Sequence, residues 1–193
     1  MRKITPVAGA LAAAGLLVGL GSLPAHADTV DSTISGGLLT ASESAASLST
    51  VTLDGTDAQT STGVAASAWS VTDARGTGST WTLSVSASDL VSAAGSVETT
   101  ARTIPASALT VTPGAVTAGS GADAVSNITG PALTLSNSSQ ALLSAAGPDK
   151  GTYTFTPTFS LAVPANAYRS NYSGAVGSSA LNPYTSTLTY TIG

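Results

Sequence analysis

The sequence contains no cysteine, one histidine and very few charged side chains, and each shortage excludes a class of function. Without cysteine the chain forms no disulfide, builds no thiolate metal site and has no cysteine nucleophile. Charged residues make up 8% of the chain, against roughly 25% in typical soluble domains, so solubility depends on Ser, Thr and Gly. Ten acidic residues outnumber six basic ones, which leaves no basic face for nucleic acid.

The N-terminus has the three-part pattern of an export signal. Residues 2–3 are basic, residues 7–20 are apolar, and residues 25–27 (AHA) fit the small-x-small pattern of signal peptidase sites. The apolar run is short for a membrane-spanning helix. We therefore expect residues 1–27 to be cleaved, leaving a mature chain, residues 28–193, that is not inserted in a membrane. Four basic residues then face ten acidic ones, a formal charge of −6.

Alternation of apolar and hydroxylated side chains is the main structural signal of the mature chain. In residues 81–87 the odd positions are Trp, Leu, Val and Ala and the even positions are Thr or Ser, which predicts a strand with one buried face. Similar patterns occupy residues 152–163 and 184–192. Residues 69–90 hold both tryptophans and predict two antiparallel strands joined by a Gly-rich loop.

Weaker patterns complete the predicted elements. They indicate strands near residues 37–40 and at 48–53, mostly loop at 114–130, and a helical turn or a loop at 140–146 that packs two leucines inward. No long segment has helical periodicity. Many short strands separated by Gly and Pro predict an all-β, single-domain, two-layer β-sandwich of the Ig-like or Greek-key kind, with a strand order that periodicity leaves open.

Catalysis is not expected of the mature chain. Loss of the histidine with the signal, and the lack of cysteine, exclude a Ser-His triad and a His/Cys metal site. Paired carboxylates would still allow glycoside hydrolysis. The candidates lie in predicted turns, where Asp usually bonds local backbone, and they are Asp54, Asp57, Asp73, Asp89, Glu98, Asp123 and Asp149. We predict a non-enzymatic protein without cofactor or metal.

Two aromatic motifs carry a resemblance to a known family. Trp81-Thr82-Leu83 resembles the proximal motif of the WxL domain of Gram-positive surface proteins. Its distal motif, a Tyr and Leu followed by a second Trp-x-Leu, is matched by Tyr184, Leu188, Tyr190 and Ile192, where Tyr190 replaces the usual Trp and Ile192 the usual Leu. Residues 36–39 and 151–168 are similar to the actinobacterial branch. The resemblance implies a secreted domain that attaches non-covalently to the cell wall, with peptidoglycan as ligand and these motif residues as its signature.

Two questions stay open at this point. Trp81 is either a core residue or a binding platform, and its phase with the apolar positions around it favours the core, as does the phase of Tyr190. Surface contacts are better sought in the loop of residues 164–183, at Tyr168, Arg169 and Tyr172. The alternative function is a protein–protein module, which docks to another surface protein or assembles into a layer or fibre.

Overall fold

A computed structural model of the chain describes residues 31–175 and 181–193. The residues from Ser35 onward belong to one unit built almost entirely of antiparallel β-structure. The expected export signal, residues 1–27, lies outside the described residues. Within them, no helix is long and apolar enough to cross a membrane.

The described strands are short and form three four-stranded sheets with two smaller ones. In chain order they are β1 (Leu39–Ser42), β2 (Gln59–Val64), β3 (Trp69–Asp73), β4 (Trp81–Ala87), β5 (Leu90–Ser92), β6 (Arg102–Ile104), β7 (Leu109–Thr112), β8 (Thr117–Ala118), β9 (Ile128–Thr129), β10 (Leu133–Thr134), β11 (Gln140–Ala145), β12 (Gly151–Phe155), β13 (Thr158–Val163), β14 (Asn171–Tyr172), β15 (Leu181–Asn182), β16 (Tyr184–Thr185) and β17 (Leu188–Ile192). Short 3-10 helices span Ala106–Ala108 and Val125–Asn127. The sheet orders are β1-β3-β12-β8, β10-β7-β13-β2, β17-β4-β11-β9, β16-β5-β6 and β14-β15.

Two segments far apart in sequence, residues 59–73 and 151–163, pair along one layer. β3 lies along β12, with Trp69 opposite Phe155, and β2 lies along β13, with Val64 opposite Thr158. Between the two ladders the Ala65 N–H donates to the Pro157 carbonyl at 3.1 Å. The β1-β3-β12-β8 and β10-β7-β13-β2 sheets are therefore joined end to end along these two segments.

The β17-β4-β11-β9 sheet packs against this layer through aromatic side chains. Trp81 of β4 lies 6.0 Å from Tyr153 of β12, and Trp69 of β3 lies 4.8 Å from Tyr190 of β17 between ring centroids. Every second residue of β4 is buried, because side chains alternate between the two faces of a strand. The predicted all-β sandwich is confirmed.

The predicted pairing of the two tryptophan strands is wrong. Both strands exist, but β3 pairs with β1 and β12, whereas β4 pairs with β11 and β17. The residues between them, 74–80, pass from one sheet to another. Each strand is central in its sheet, and strands distant in sequence occupy both of its edges.

Two other predictions need correction, and one strand had no prediction. Residues 48–53 belong to no strand, and β2, a polar strand, has no counterpart among the predicted elements. Residues 140–145 form strand β11, neither a helical turn nor a loop. A register shift between Ala141 and Leu143 marks a bulge, which lets the consecutive Leu142 and Leu143 both face the core.

Candidate functional site

A large cleft lies between the sandwich and the segments that wrap it. Its volume is about 1250 Å³, at or above the upper end of small-molecule sites. One wall is residues 43–53, and the other is made of residues 168–170 and 181–190. The floor is apolar and consists of Leu90, Ile104, Leu109, Phe159, Leu161 and Val163. The cleft therefore opens directly onto the core.

The two walls have a different chemistry from the floor. They mix apolar residues with hydroxyl groups, which come from Ser44, Ser47, Ser49, Thr50, Thr52, Ser170, Thr185 and Ser186. Glu43 and Arg169 are the charged residues among the described lining residues, and burial raises the pKa of Glu43. An apolar floor with polar groups on its walls is the usual build of a ligand site.

The distal motif supplies one end of the cleft. Tyr184, Leu188 and Tyr190 all line it. Tyr190 is half-buried, its ring meets Trp69 edge to face, and burial raises the pKa of its hydroxyl. It thus joins the core and also faces the cleft, so the prediction of a core position is correct only for part of its ring. Ile192, the last motif residue, lies outside the cleft and opposite Leu83 in the β4–β17 ladder.

Tyr168 and Tyr184 meet at the mouth of the cleft. The Tyr184 hydroxyl donates to the Tyr168 carbonyl at 2.8 Å, while the Tyr168 side chain is 64% exposed. The Arg102 guanidinium carbon lies 3.9 Å from the centroid of the Tyr168 ring, within the range of a cation–π contact. Burial raises the pKa of Tyr184, and the charge of Arg102 opposes that shift.

Arg169 and Tyr172 form a second cation–aromatic pair beside the first. The Arg169 guanidinium lies 4.1 Å from the centroid of the Tyr172 ring and forms an ion pair with Glu98. Of the three residues predicted as surface contacts, Tyr168 and Arg169 line the cleft and Tyr172 stands behind Arg169.

A buried asparagine fixes this loop to the sandwich. Asn171 is fully buried, and its side-chain amide donates to the carbonyls of Ser92, Ala93 and Thr100 at 2.7–3.2 Å. The Ser92 hydroxyl accepts from the Asn171 N–H at 2.7 Å. A Cβ on Gly95 would lie 1.4 Å from the Tyr172 carbonyl oxygen, so the loop backbone packs directly on the glycine.

The proximal motif lies away from the cleft. Trp81 and Leu83 are each 1% exposed, which confirms the core position predicted for Trp81. The indole N–H of Trp81 donates to the Asp149 carbonyl at 3.2 Å, the hydrogen bond that a buried tryptophan requires. The structure therefore separates the two motifs, one inside the core and the other partly at the cleft.

The Asp-x-Arg-Gly-Thr segment closes the connection from β3 to β4. Arg75 donates to Asp73 through Nε at 3.0 Å and Nη2 at 2.8 Å, and Nη2 also reaches the carbonyls of Ser79 and Thr80. Asp73 is 2% exposed, and the hydrogen bond from Arg75 lowers its pKa. Gly76 has a φ of 69°, a conformation that favours glycine.

Six of the seven candidate carboxylates accept hydrogen bonds within the described fold, Asp73 from Arg75 among them. Asp54 accepts from the N–H groups of Thr56 and Asp57, Asp89 from that of Ala106, and Asp149 from that of Gly147. Asp123 pairs with Lys150 and Glu98 with Arg169. Within the part of the chain that the structure describes, no group of three or more His, Cys, Asp or Glu residues could hold a metal ion.

Sequence reasoning missed part of the site. It did not identify the wall of residues 43–53 or the contact of Arg102 with Tyr168, because both depend on parts of the chain that are distant in sequence. The signal that existed was the failure of residues 48–53 to fit a buried strand: their apolar positions, Leu48, Val51 and Leu53, do not keep one phase.

Residues 30–192 match the family model of the WxL domain, described as surface cell wall-binding. No curated protein and no solved structure matches the chain. The matched range includes both motifs and every described residue of the cleft.

Proposed function

This chain belongs to the WxL family of surface cell wall-binding domains, and on that premise we propose that it is exported, binds peptidoglycan and thereby attaches to the wall non-covalently. Its place is the cell surface, in association with the cell wall. Export is proposed on the pattern of residues 1–27. The glycan-binding site is proposed to be the cleft.

The observation that carries the proposal is the meeting of two sets of residues at one cleft. Tyr184, Leu188 and Tyr190 of the distal motif line it together with Tyr168 and Arg169 of the loop. Tyrosine rings offer flat apolar faces with a polar tip, and the Ser and Thr walls offer donors and acceptors. A polysaccharide has the complementary chemistry, since its rings carry apolar faces and hydroxyl edges.

A non-catalytic role agrees with the state of the carboxylates. Hydrolysis of a glycoside requires two carboxyl groups that face each other across the bond, about 5–10 Å apart. Glu43 is the carboxylate among the described lining residues of the cleft, and it has no second carboxylate beside it there. The proposed cleft therefore binds glycan without cleaving it.

The test is a pull-down of the mature chain, residues 28–193, on peptidoglycan sacculi stripped of protein. The wild type should bind saturably, and the triple variant Tyr168→Ala, Arg169→Ala, Tyr172→Ala should bind much more weakly while keeping its circular dichroism spectrum. Lys150→Gln is the matched control, because Lys150 is half-exposed, paired with Asp123 and outside the cleft. Unchanged binding by a folded triple variant would reject the cleft as the site.

A protein–protein module is the second candidate, and the aliphatic floor of the cleft favours it. Leucine and valine side chains suit an apolar peptide at least as well as a sugar. The two functions differ in solution behaviour: soluble wall fragments should compete with glycan binding, whereas self-assembly should depend on protein concentration and increase the hydrodynamic size. Size-exclusion chromatography over a dilution series, with and without wall fragments, separates them.

A further inference from the structure

Arg102 differs from the other cations of the described chain in having no ionic partner. Those cations are Arg75, Arg102, Lys150 and Arg169. Arg75, Lys150 and Arg169 each form an ion pair. No carboxylate of the described residues lies within 4.0 Å of Arg102, and its Nε is buried without a hydrogen-bond acceptor there. In a chain with an acidic balance, this leaves one guanidinium with unused donors.

The guanidinium lies beside the cleft, against Tyr168 of its wall. Arg102 lies on β6, the edge of the β16-β5-β6 sheet, and its Cζ stacks 3.9 Å above the Tyr168 ring. The Tyr184 hydroxyl donates to the Tyr168 carbonyl at 2.8 Å, which restrains the backbone that carries this ring. Stacking orients a planar guanidinium, and an oriented guanidinium offers a fork of donors that matches a carboxylate or a phosphate.

We propose that Arg102 and Tyr168 form an anion subsite of the cleft, which binds an acidic group attached to the wall saccharide while the tyrosine ring packs against the adjoining sugar. This inference rests on the proposed function and names the ligand class of the same site. Wall material carries such groups in two forms, the carboxylates of the peptide stems and the phosphates of phosphodiester polymers. A carboxylate is planar and a phosphate is tetrahedral, and the oxygen atoms of both accept hydrogen bonds from Arg.

The experiment measures binding of four proteins to two kinds of sacculi over a series of salt concentrations. The proteins are the wild type, Arg102→Gln, Arg102→Lys and the control Lys150→Gln. The sacculi are either intact or freed of phosphodiester polymers by acid treatment. Arg102→Gln should bind about tenfold more weakly or worse, as expected for loss of a charge-assisted hydrogen-bonded pair, and with a smaller dependence on salt.

The other variants test whether the guanidinium fork is required, and the two kinds of sacculi separate the two possible anions. Arg102→Lys should recover only part of the affinity, because an ammonium lacks the fork, and Lys150→Gln should match the wild type. A defect of Arg102→Gln on both surfaces identifies the stem carboxylate, and a defect confined to intact sacculi identifies the phosphate. If Arg102→Gln proves unstable, Tyr168→Ala replaces it, since the 64% exposed Tyr168 ring contributes little to the core; this variant too should bind more weakly.

Failure of the inference differs from failure of the proposed function. Wild-type affinity and salt dependence in both Arg102→Gln and Tyr168→Ala would overturn the subsite and leave the cleft as a neutral glycan site. No binding of the wild type to either kind of sacculi would overturn peptidoglycan binding itself, and the subsite with it.

Discussion

Replacement of Trp81 should weaken the fold without weakening wall binding per folded molecule. The side chain is 1% exposed, packs 6.0 Å from Tyr153 and donates to the Asp149 carbonyl. Trp81→Ala removes a buried indole and leaves a cavity, which costs about 3–5 kcal/mol. For a domain of this size that corresponds to a melting temperature lower by about 6–20 °C. Trp81→Phe fills most of the space but leaves the Asp149 carbonyl unpaired, at a cost of about 1–3 kcal/mol.

The assay pairs thermal unfolding with binding to sacculi, both on the same preparation. Trp81→Phe should unfold earlier than the wild type yet bind with its affinity at a temperature where both are folded. Tyr190→Ala is the contrasting variant, because its ring lines the cleft as well as packing on Trp69, and it should lose affinity and stability together. A Trp81→Phe protein that melts normally but binds tenfold more weakly would refute the reasoning, since it would make the indole a contact residue.

Two further variants probe the connection from β3 to β4 and the packing of the loop at Tyr172. Asp73→Asn should destabilise the fold by about 1–3 kcal/mol at pH 7: the hydrogen bond from Arg75 lowers the pKa of Asp73 below its unfolded value of about 3.9, so its stabilisation is complete above about pH 4 and lost as the pH falls towards the folded pKa. Between pH 2 and pH 7, the free energy of urea unfolding should fall less steeply with decreasing pH in the variant than in the wild type. An equal fall in the two proteins would contradict this. Gly95→Ala should cost about 1–3 kcal/mol because the new Cβ would meet the Tyr172 carbonyl at 1.4 Å; limited proteolysis should then cut residues 164–175 faster, and wild-type resistance would argue against this packing.

The sequence predicted strands well where one face is buried and the other is exposed to solvent. β4 alternates apolar and hydroxylated residues along its whole length, and burial follows the same alternation. β2 (QTSTGV) was missed because its chain lies at a sheet edge and buries only Ser61. The alternation of apolar residues gives no signal for such a strand, because its place is set by backbone pairing with β13.

Pairing and the binding cleft were beyond what local patterns contain. Alternation in β3 and β4 shows that each strand has a buried face, but it does not say whether the partner is the next strand or one 80 residues away. The loop residues Tyr168 and Arg169 were predicted as contacts from their chemistry, and they do line the cleft. Arg102 was not, since its position depends on the edge pairing of β5 with β6.

The pairing of β2 with β13 and of β3 with β12 also determines when a chain under synthesis can complete its fold. β12 and β13 supply partners to β2, β3, β7 and β8, so a growing chain cannot complete these ladders until about residue 163 has been made. Topologies dominated by such distant pairings fold slowly. The sandwich therefore stays incomplete during synthesis until the final third of the chain has been made, and its completion is a late event.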